Sequence, residues 1–202
     1  MNDERRAEPR RTPVQRRGAE RVEAILGAAE ALIAADGFEA LTLTAVAERS
    51  GSSIGSLYRF FADREQLLLA LAERLARAVG DHASGTPPTP IAAMTPAEFA
   101  AWFIAWLGAT TQTHPALLVL LHHIGPHCVP LEARAMAPID EFFRTHAPGM
   151  HERERQLATR MAMTLVGEGM KLPEHVPGAT MHEGIREVGS ALAAYLGARS
   201  SG

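Results

Sequence analysis

Residues 41–69 read LTLTAVAERSGSSIGSLYRFFADREQLLL, and their punctuation decides the fold. Thr42 stands just before an apolar-periodic run, where its hydroxyl can cap the free N–H groups of a helix's first turn. Val46 and Ala47 give that helix a small inward face. Gly51 follows Ser50 where a tight turn needs positive φ. Ser52 or Ser53 caps a second short helix holding Ile54, Gly55, Ser56, Leu57 and Tyr58. Small residues at 52, 53, 55 and 56 suit a surface that lies close against something, and Leu57, Phe60 and Phe61 supply the buried side. Asp63 caps a third helix, with Gln66 in capping-box position. Two short helices about a glycine turn, feeding a longer helix, are the pattern of a helix-turn-helix DNA reader. The same caps would also serve a plain three-helix bundle.

The chain around this stretch has 202 residues, enough for one large or two small domains, and 47% hydrophobic residues, ample for a core. A net charge of −3 argues against bulk nucleic-acid binding. Charge is placed locally instead. Arginines 5, 6, 10, 11, 16, 17 and 21 face only Asp3, Glu4, Glu8 and Glu20, so a basic arm precedes the reading helices. Residues 10–21 are the part expected to follow phosphates, while 1–12 read as a solvated tail. The single cysteine, Cys128, excludes an internal disulfide and fits a reducing compartment. No run has signal-peptide or membrane-span character, so a cytoplasmic location is expected.

Outward from the reader, the periodicity predicts helix throughout. Val22, Ile25, Leu26, Ala29, Leu32 and Ile33 form one stripe of a helix over roughly 16–36, ended by Gly37 with Phe38 folding back. Leu67, Leu68, Leu71 and Leu75 stripe a helix from Asp63 to about Val79. GDHASGTPPTP at 80–90 breaks the pattern. Beyond it, Thr95-Pro96-Ala97-Glu98 is a capping box that starts a helix interrupted at His114-Pro115. Leu117 to Ile124 form another, stopped by Gly125-Pro126, and residues 131–146 a third. Two long helices close the chain, 151–170 and about 179–198. Their apolar residues include Leu157, Met161, Leu165 and Val166 on the first, and Ile185, Val188, Leu192, Tyr195 and Leu196 on the second, with Ala158, Ala162 and Gly169 keeping one face low. These stripes serve either the chain's own core or a partner.

The register over about sixty residues, from Arg21 through LTLTAVAERSG and SSIGSLYRFFADREQLLLAL to about Val79, resembles the N-terminal domain of TetR-family transcriptional repressors. Gly51, Leu57-Tyr58, Phe61 and Arg64-Glu65 carry the resemblance. It implies an all-α fold: a helix-turn-helix three-helix DNA-binding domain, then a larger helical C-terminal domain for ligand binding and dimerisation. The expected organisation is a flexible basic arm over 1–14, the reader over 15–62, a connecting helix over 63–80 and the effector and dimerisation domain over 81–202. By position, Ser52, Ser53, Ile54, Gly55 and Ser56 approach base edges or phosphates, and Tyr58 donates to a phosphate. Thr42 and Thr44 meet the backbone, and Arg64 contacts a phosphate. Ile54 departs from the family, where a polar or basic residue is usual. It can touch only a thymine methyl. Arg59 departs too, and reads equally as a guanine or phosphate contact and as a solvated residue.

The resemblance further implies a homodimer through the two C-terminal helices, binding a palindromic double-stranded DNA operator and released by a small-molecule effector, with no cofactor. Trp102, Phe103, Trp106, Met136, Phe142 and Met163 are candidate pocket residues and point to an apolar or aromatic effector, although such stripes are more often core. His122 and His123 are candidate polar pocket groups. His122, His123, His127 and Cys128 have zinc-ligand chemistry but poor spacing for it, so no metal is expected. No phosphate loop, HExxH or nucleophile elbow occurs, so no catalytic residues and no enzyme are expected. The alternative is a helical small-molecule or metal-binding protein with a vestigial reading head, which the balanced charge of that head and Ile54 would suit.

Overall fold

The computed structural model describes residues 13–82, 87–124 and 129–200. Its helices in chain order are α1 (Pro13–Asp36), α2 (Leu43–Ser50), α3 (Ile54–Tyr58), α4 (Arg64–His82), α5 (Pro96–Thr113), α6 (Leu117–Ile124), α7 (Val129–His146), α8 (Glu152–Gly169), α9 (Leu172–His175) and α10 (Met181–Ser200). No strand occurs among the described residues. The chain divides into two compact units at Leu68/Leu69, so α4 begins in the first and ends in the second.

In the first unit α1 packs on α2, and α2 on α3. Ile25, Leu26, Ala29, Leu32 and Ile33 are buried, as the helical spacing requires. Gly37, at φ 84°, ends α1, and its N–H bonds the Ile33 carbonyl at 3.0 Å. A 3-10 turn over Phe38–Ala40 then leads into α2. That turn has no periodic signature, and the sequence reading missed it. Thr42 caps α2 by accepting from Ala45 N–H at 3.1 Å, and Gly51, left-handed at φ 65°, ends it. Ser53, not Ser52, caps α3, accepting from Ser56 N–H at 3.2 Å. Asp63 caps α4 through Gln66 N–H at 2.8 Å. The return bond is displaced by one residue: Gln66 Oε1 accepts from Ala62 N–H, not from Asp63.

Two details differ from the sequence expectation here, the start of α1 and the exposure of Phe60. α1 begins at Pro13, a residue suited to a first turn because its missing N–H would be unpaired anyway. α3 is five residues long and stops at Tyr58. Phe60 lies beyond it and is 37% exposed, so Leu57 and Phe61 alone form the buried side.

The second unit is built on α10, which packs against α5 and α8, while α7 packs on α8. The Thr95–Glu98 capping box forms in full. Phe99, Phe103, Phe142 and Phe143 are fully buried and make the aromatic centre, with Phe99 and Phe142 ring centroids 4.8 Å apart. Ala158, Ala162 and Val166 of α8 and Val188, Leu192 and Leu196 of α10 are buried within this unit. Those residues close the chain's own core. Leu157, at 63% exposed, and Met161, at 46%, do not.

Candidate functional site

The reading face follows from how α3 is held. Leu57 is wholly buried, and this single anchor fixes which side of a short helix faces out. Ile54 is 40% exposed and Tyr58 56% exposed; Gly55 and Arg59 are also exposed. Ser52 and Ser56 are half-buried, while Ser53, Thr42 and Thr44 are exposed. A Cβ at Gly55 would meet nothing within 4 Å, so glycine there leaves the surface low for a ligand and is not demanded by packing. The outward groups are therefore apolar (Ile54), hydroxyl (Thr42, Thr44, Ser53, Tyr58) and cationic (Arg59). They offer phosphate contacts and few direct base contacts.

Arg64, expected at a phosphate, is also engaged within the protein. Its Nε donates to the Leu41 carbonyl at 2.8 Å and its Nη2 to the Phe38 carbonyl at 2.9 Å. Its guanidinium lies 4.7 Å over the Phe38 ring. These bonds hold the segment between α1 and α2. The side chain is a clamp for the reader, a role that sequence reading missed because the partners are backbone atoms of an aperiodic turn. Of the basic arm, Arg16, Arg17 and Arg21 are exposed on α1, and Arg16 pairs with Glu20 at 3.4 Å. Arg5, Arg6, Arg10 and Arg11 lie outside the described residues.

In the second unit the effector candidates separate into two groups. Phe103 and Phe142 are fully buried in the aromatic centre, with Trp106 nearly so; Trp102 is half-buried and stacks on Trp106 at 6.2 Å. These rings fill space. Met136 and Met163 instead line a cleft of about 470 Å³ among α6, α7 and α8, together with Leu118, Val119 and Leu121. A second cleft, of about 600 Å³, opens between α7 and α8 beside Arg153, Gln156 and Thr159. Arg160 and Met136 line both, and Arg160 pairs with Glu132 at 2.5 Å across them. None of Glu132, Arg153, Thr159 or Arg160 was singled out from sequence. Glu132 lies on α7, and Arg153 and Arg160, seven residues apart on α8, read in sequence as an ordinary solvated face.

His122 and His123 belong to α6, where the His123 ring meets the Val119 carbonyl at 2.9 Å. His127 and Cys128 lie outside the described residues. Among the described residues no group of three or more His, Cys, Asp or Glu could hold a metal ion. No described helix is long and apolar enough to cross a membrane.

Two family models match the chain. Residues 25–71 match that of the bacterial regulatory proteins of the tetR family, and residues 95–196 that of the tetracyclin repressor-like C-terminal domain. The HTH-type transcriptional repressor KstR of Mycobacterium tuberculosis is 31% identical over 98 residues, 48% of this chain and 43% of that protein. The chain thus matches less than half the length of that relative. The fold is similar to that of FadR from Bacillus subtilis, solved in complex with stearoyl-CoA, with a TM-score of 0.62 at 14% identity, covering 85% of this chain and 97% of that one. The fatty acid degradation regulator FadR of Bacillus halodurans aligns with a TM-score of 0.60 at 17% identity, covering 92% and 97%.

Proposed function

The chain belongs to the TetR family of bacterial regulatory proteins, and we propose that it is a repressor that binds a palindromic operator as a homodimer and lets go when a small molecule enters its C-terminal unit. The observation that carries this reading is the outward face of α3. Ile54, Tyr58 and Arg59 are turned to solvent by one buried anchor, Leu57, on a helix placed by a left-handed glycine turn. A helix of five residues makes too few contacts for useful specificity by itself. Two copies about 34–36 Å apart read one turn of the duplex twice.

The exposed residues Leu157 and Met161 of α8 support an interface between copies, because large apolar side chains left in water on one helix face favour a covering partner. Release then needs only a small change in the separation of the two readers, since both must engage at once. The effector acts by preferring the non-binding arrangement. The cleft lined by Met136 and Met163 supports an apolar effector. The setting is the cytoplasm, where chromosomal DNA is accessible.

The test is duplex binding by the purified chain. Tyr58→Phe with Arg59→Ala is expected to weaken binding and flatten its salt dependence by about one unit of slope per subunit, since one phosphate-seeking cation is lost. Unchanged affinity and slope would favour a small-molecule binding protein with a vestigial head.

A further inference from the structure

The described part of the first unit holds no lysine, and its arginines are Arg16, Arg17, Arg21, Arg49, Arg59 and Arg64. Half of these are engaged by acids. Arg16 pairs with Glu20 at 3.4 Å, Arg49 with Asp36 at 3.8 Å, and Arg64 with Glu39 at 3.9 Å besides its two carbonyls. Arg17, Arg21 and Arg59 make no ion pair among the described residues. A duplex presents a dense row of phosphates, and a unit with so few uncommitted cations binds it only where those cations stand. Arg59 stands on the reading face; the other two stand on α1.

The early turns of α1 stand clear of the core. No residue from 16 to 24 is buried, and burial begins at Ile25. At 3.6 residues per turn, Glu20 and Glu23 lie on the back of the helix, away from the stripe of Ile25, Ala29 and Ile33, and Glu20 holds Arg16 there. Arg17 and Arg21, both exposed, lie one turn apart on a flank beside that stripe. The neighbours of Arg21 at three and four residues are Arg17, Gly18, Ala24 and Ile25, and none is acidic. Like charges at this spacing disfavour the helix by themselves, and an anion lying across both reverses that repulsion. Their Cβ atoms are about 5–6 Å apart, so two long side chains reach neighbouring phosphates of one strand, which rise about 3.4 Å each along the duplex. α1 packs on α2, so this flank belongs to the same body as the reading helices.

We propose that Arg17 and Arg21 form a second DNA contact, a two-phosphate grip on α1 that is separate from α3 and indifferent to sequence. It supplies backbone neutralisation that Arg59 alone does not, and it leaves base discrimination to the reading helix. Arg16, neutralised on the other flank, takes no part. This deepens the operator-binding reading above and rests on it.

The experiment is duplex binding by the full chain across about 50 to 200 mM salt, with the chain's upstream duplex and an unrelated one. Arg17→Gln with Arg21→Gln removes two phosphate contacts from each of two subunits. The slope of log affinity against log salt should flatten by about 3.6, at about 0.9 per phosphate, so the loss of affinity across that range shrinks by about a hundred-fold. The preference for the upstream duplex should hold within about two-fold, because phosphates carry no sequence information. Arg17→Lys with Arg21→Lys should keep the wild-type slope, since a point charge serves a phosphate. Arg16→Gln should leave the slope unchanged. All these side chains are exposed and glutamine and lysine suit a helix, so the variants keep the fold, as circular dichroism would verify. A wild-type slope in the double glutamine variant, or an equal flattening in Arg16→Gln, would overturn the proposal while leaving the repressor reading in place. A wild-type chain that binds neither duplex refutes the repressor reading and this contact with it.

Discussion

Arg64 and Phe38 are joined twice: the guanidinium donates to the Phe38 carbonyl at 2.9 Å and lies 4.7 Å over its ring. The first residue of α4 thereby fastens the turn that leads into the reading helices. Hydrogen bonds from a charged donor contribute about 1.5–3 kcal/mol each when well placed, and less where water competes, as it does at this 39% exposed side chain. Arg64→Ala is expected to cost about 2 kcal/mol, a fall in melting temperature of about 4–8 °C for a chain of this size. Arg64→Lys keeps the charge but not the fork and should recover less than half of that. Thermal melts of the three proteins decide. An unchanged melting temperature with a reduced salt slope would return Arg64 to a phosphate.

Ile54 leads α3 and is 40% exposed with no polar atom to offer a base. Its productive contact in a major groove is a thymine methyl. Replacing the critical thymine of each half-site by deoxyuridine should cost about 0.8 kcal/mol, roughly four-fold in affinity per half-site. Ile54→Ala should bind the thymine and uracil operators alike. Competition binding with a selected operator measures this, and a wild-type chain indifferent to every such substitution would refute the contact.

Gly169 ends α8 against Val188 of α10. A Cβ at 169 would overlap Val188 Cγ2, and Val188 is 2% exposed and stiff at its first torsion. Gly169→Ala should therefore destabilise by about 1–3 kcal/mol, overpacking outweighing the gain in helix propensity. Gly189→Ala on α10, where a Cβ meets nothing within 4 Å, should instead stabilise by about 0.5–1 kcal/mol. Denaturant midpoints of the two variants moving in the same direction would contradict this packing.

Thr95 and Thr180 place the same device before α5 and α10. Each threonine's N–H and hydroxyl donate to a glutamate three residues on, Glu98 and Glu183, at 2.8 Å. These bonds, from the backbone first and the hydroxyl second, hold both carboxyls below their ordinary 4.5. A folded-state pKa below the unfolded one adds stability that is present above the unfolded value and is lost as pH falls through the folded one. Glu98→Gln and Glu183→Gln should thus be less stable than wild type at pH 7 and converge with it as pH falls below the ordinary carboxylate range. Melts at pH 7 and pH 3 would show it; a stability gap that widens on acidification would refute it.

The reader was legible in sequence because its signals are local. Thr42, Gly51, Ser53 and Asp63 each act on a backbone group within a few residues, and each takes the place its chemistry dictates. The apolar stripe of α1 was equally plain. Phe60 misled because an aromatic in a buried cluster and one just past a helix end look alike until the helix length is known. The clamp made by Arg64 was not legible because its partners, Phe38 and Leu41, are carbonyls more than twenty residues away. In the second unit, Phe103 and Met163 have the same apolar character in sequence. Only packing assigns the first to the aromatic centre and the second to a cleft wall. Arg153, Thr159 and Arg160, which line the second cleft, carried no signal, since two arginines seven residues apart on a helix read as ordinary solvated surface.

The central claim is that two copies of this chain read one palindrome. Fluorescence anisotropy of labelled duplexes from the protein's own upstream DNA, titrated with purified chain at several salt concentrations and paired with sedimentation for stoichiometry, tests it most directly. The expected result is saturable binding to one palindromic segment, two chains per duplex, with affinity falling linearly in log salt and unrelated duplexes bound at least about a thousand-fold more weakly. Weak binding that is indifferent to sequence, or a single chain on a site without symmetry, would contradict the account.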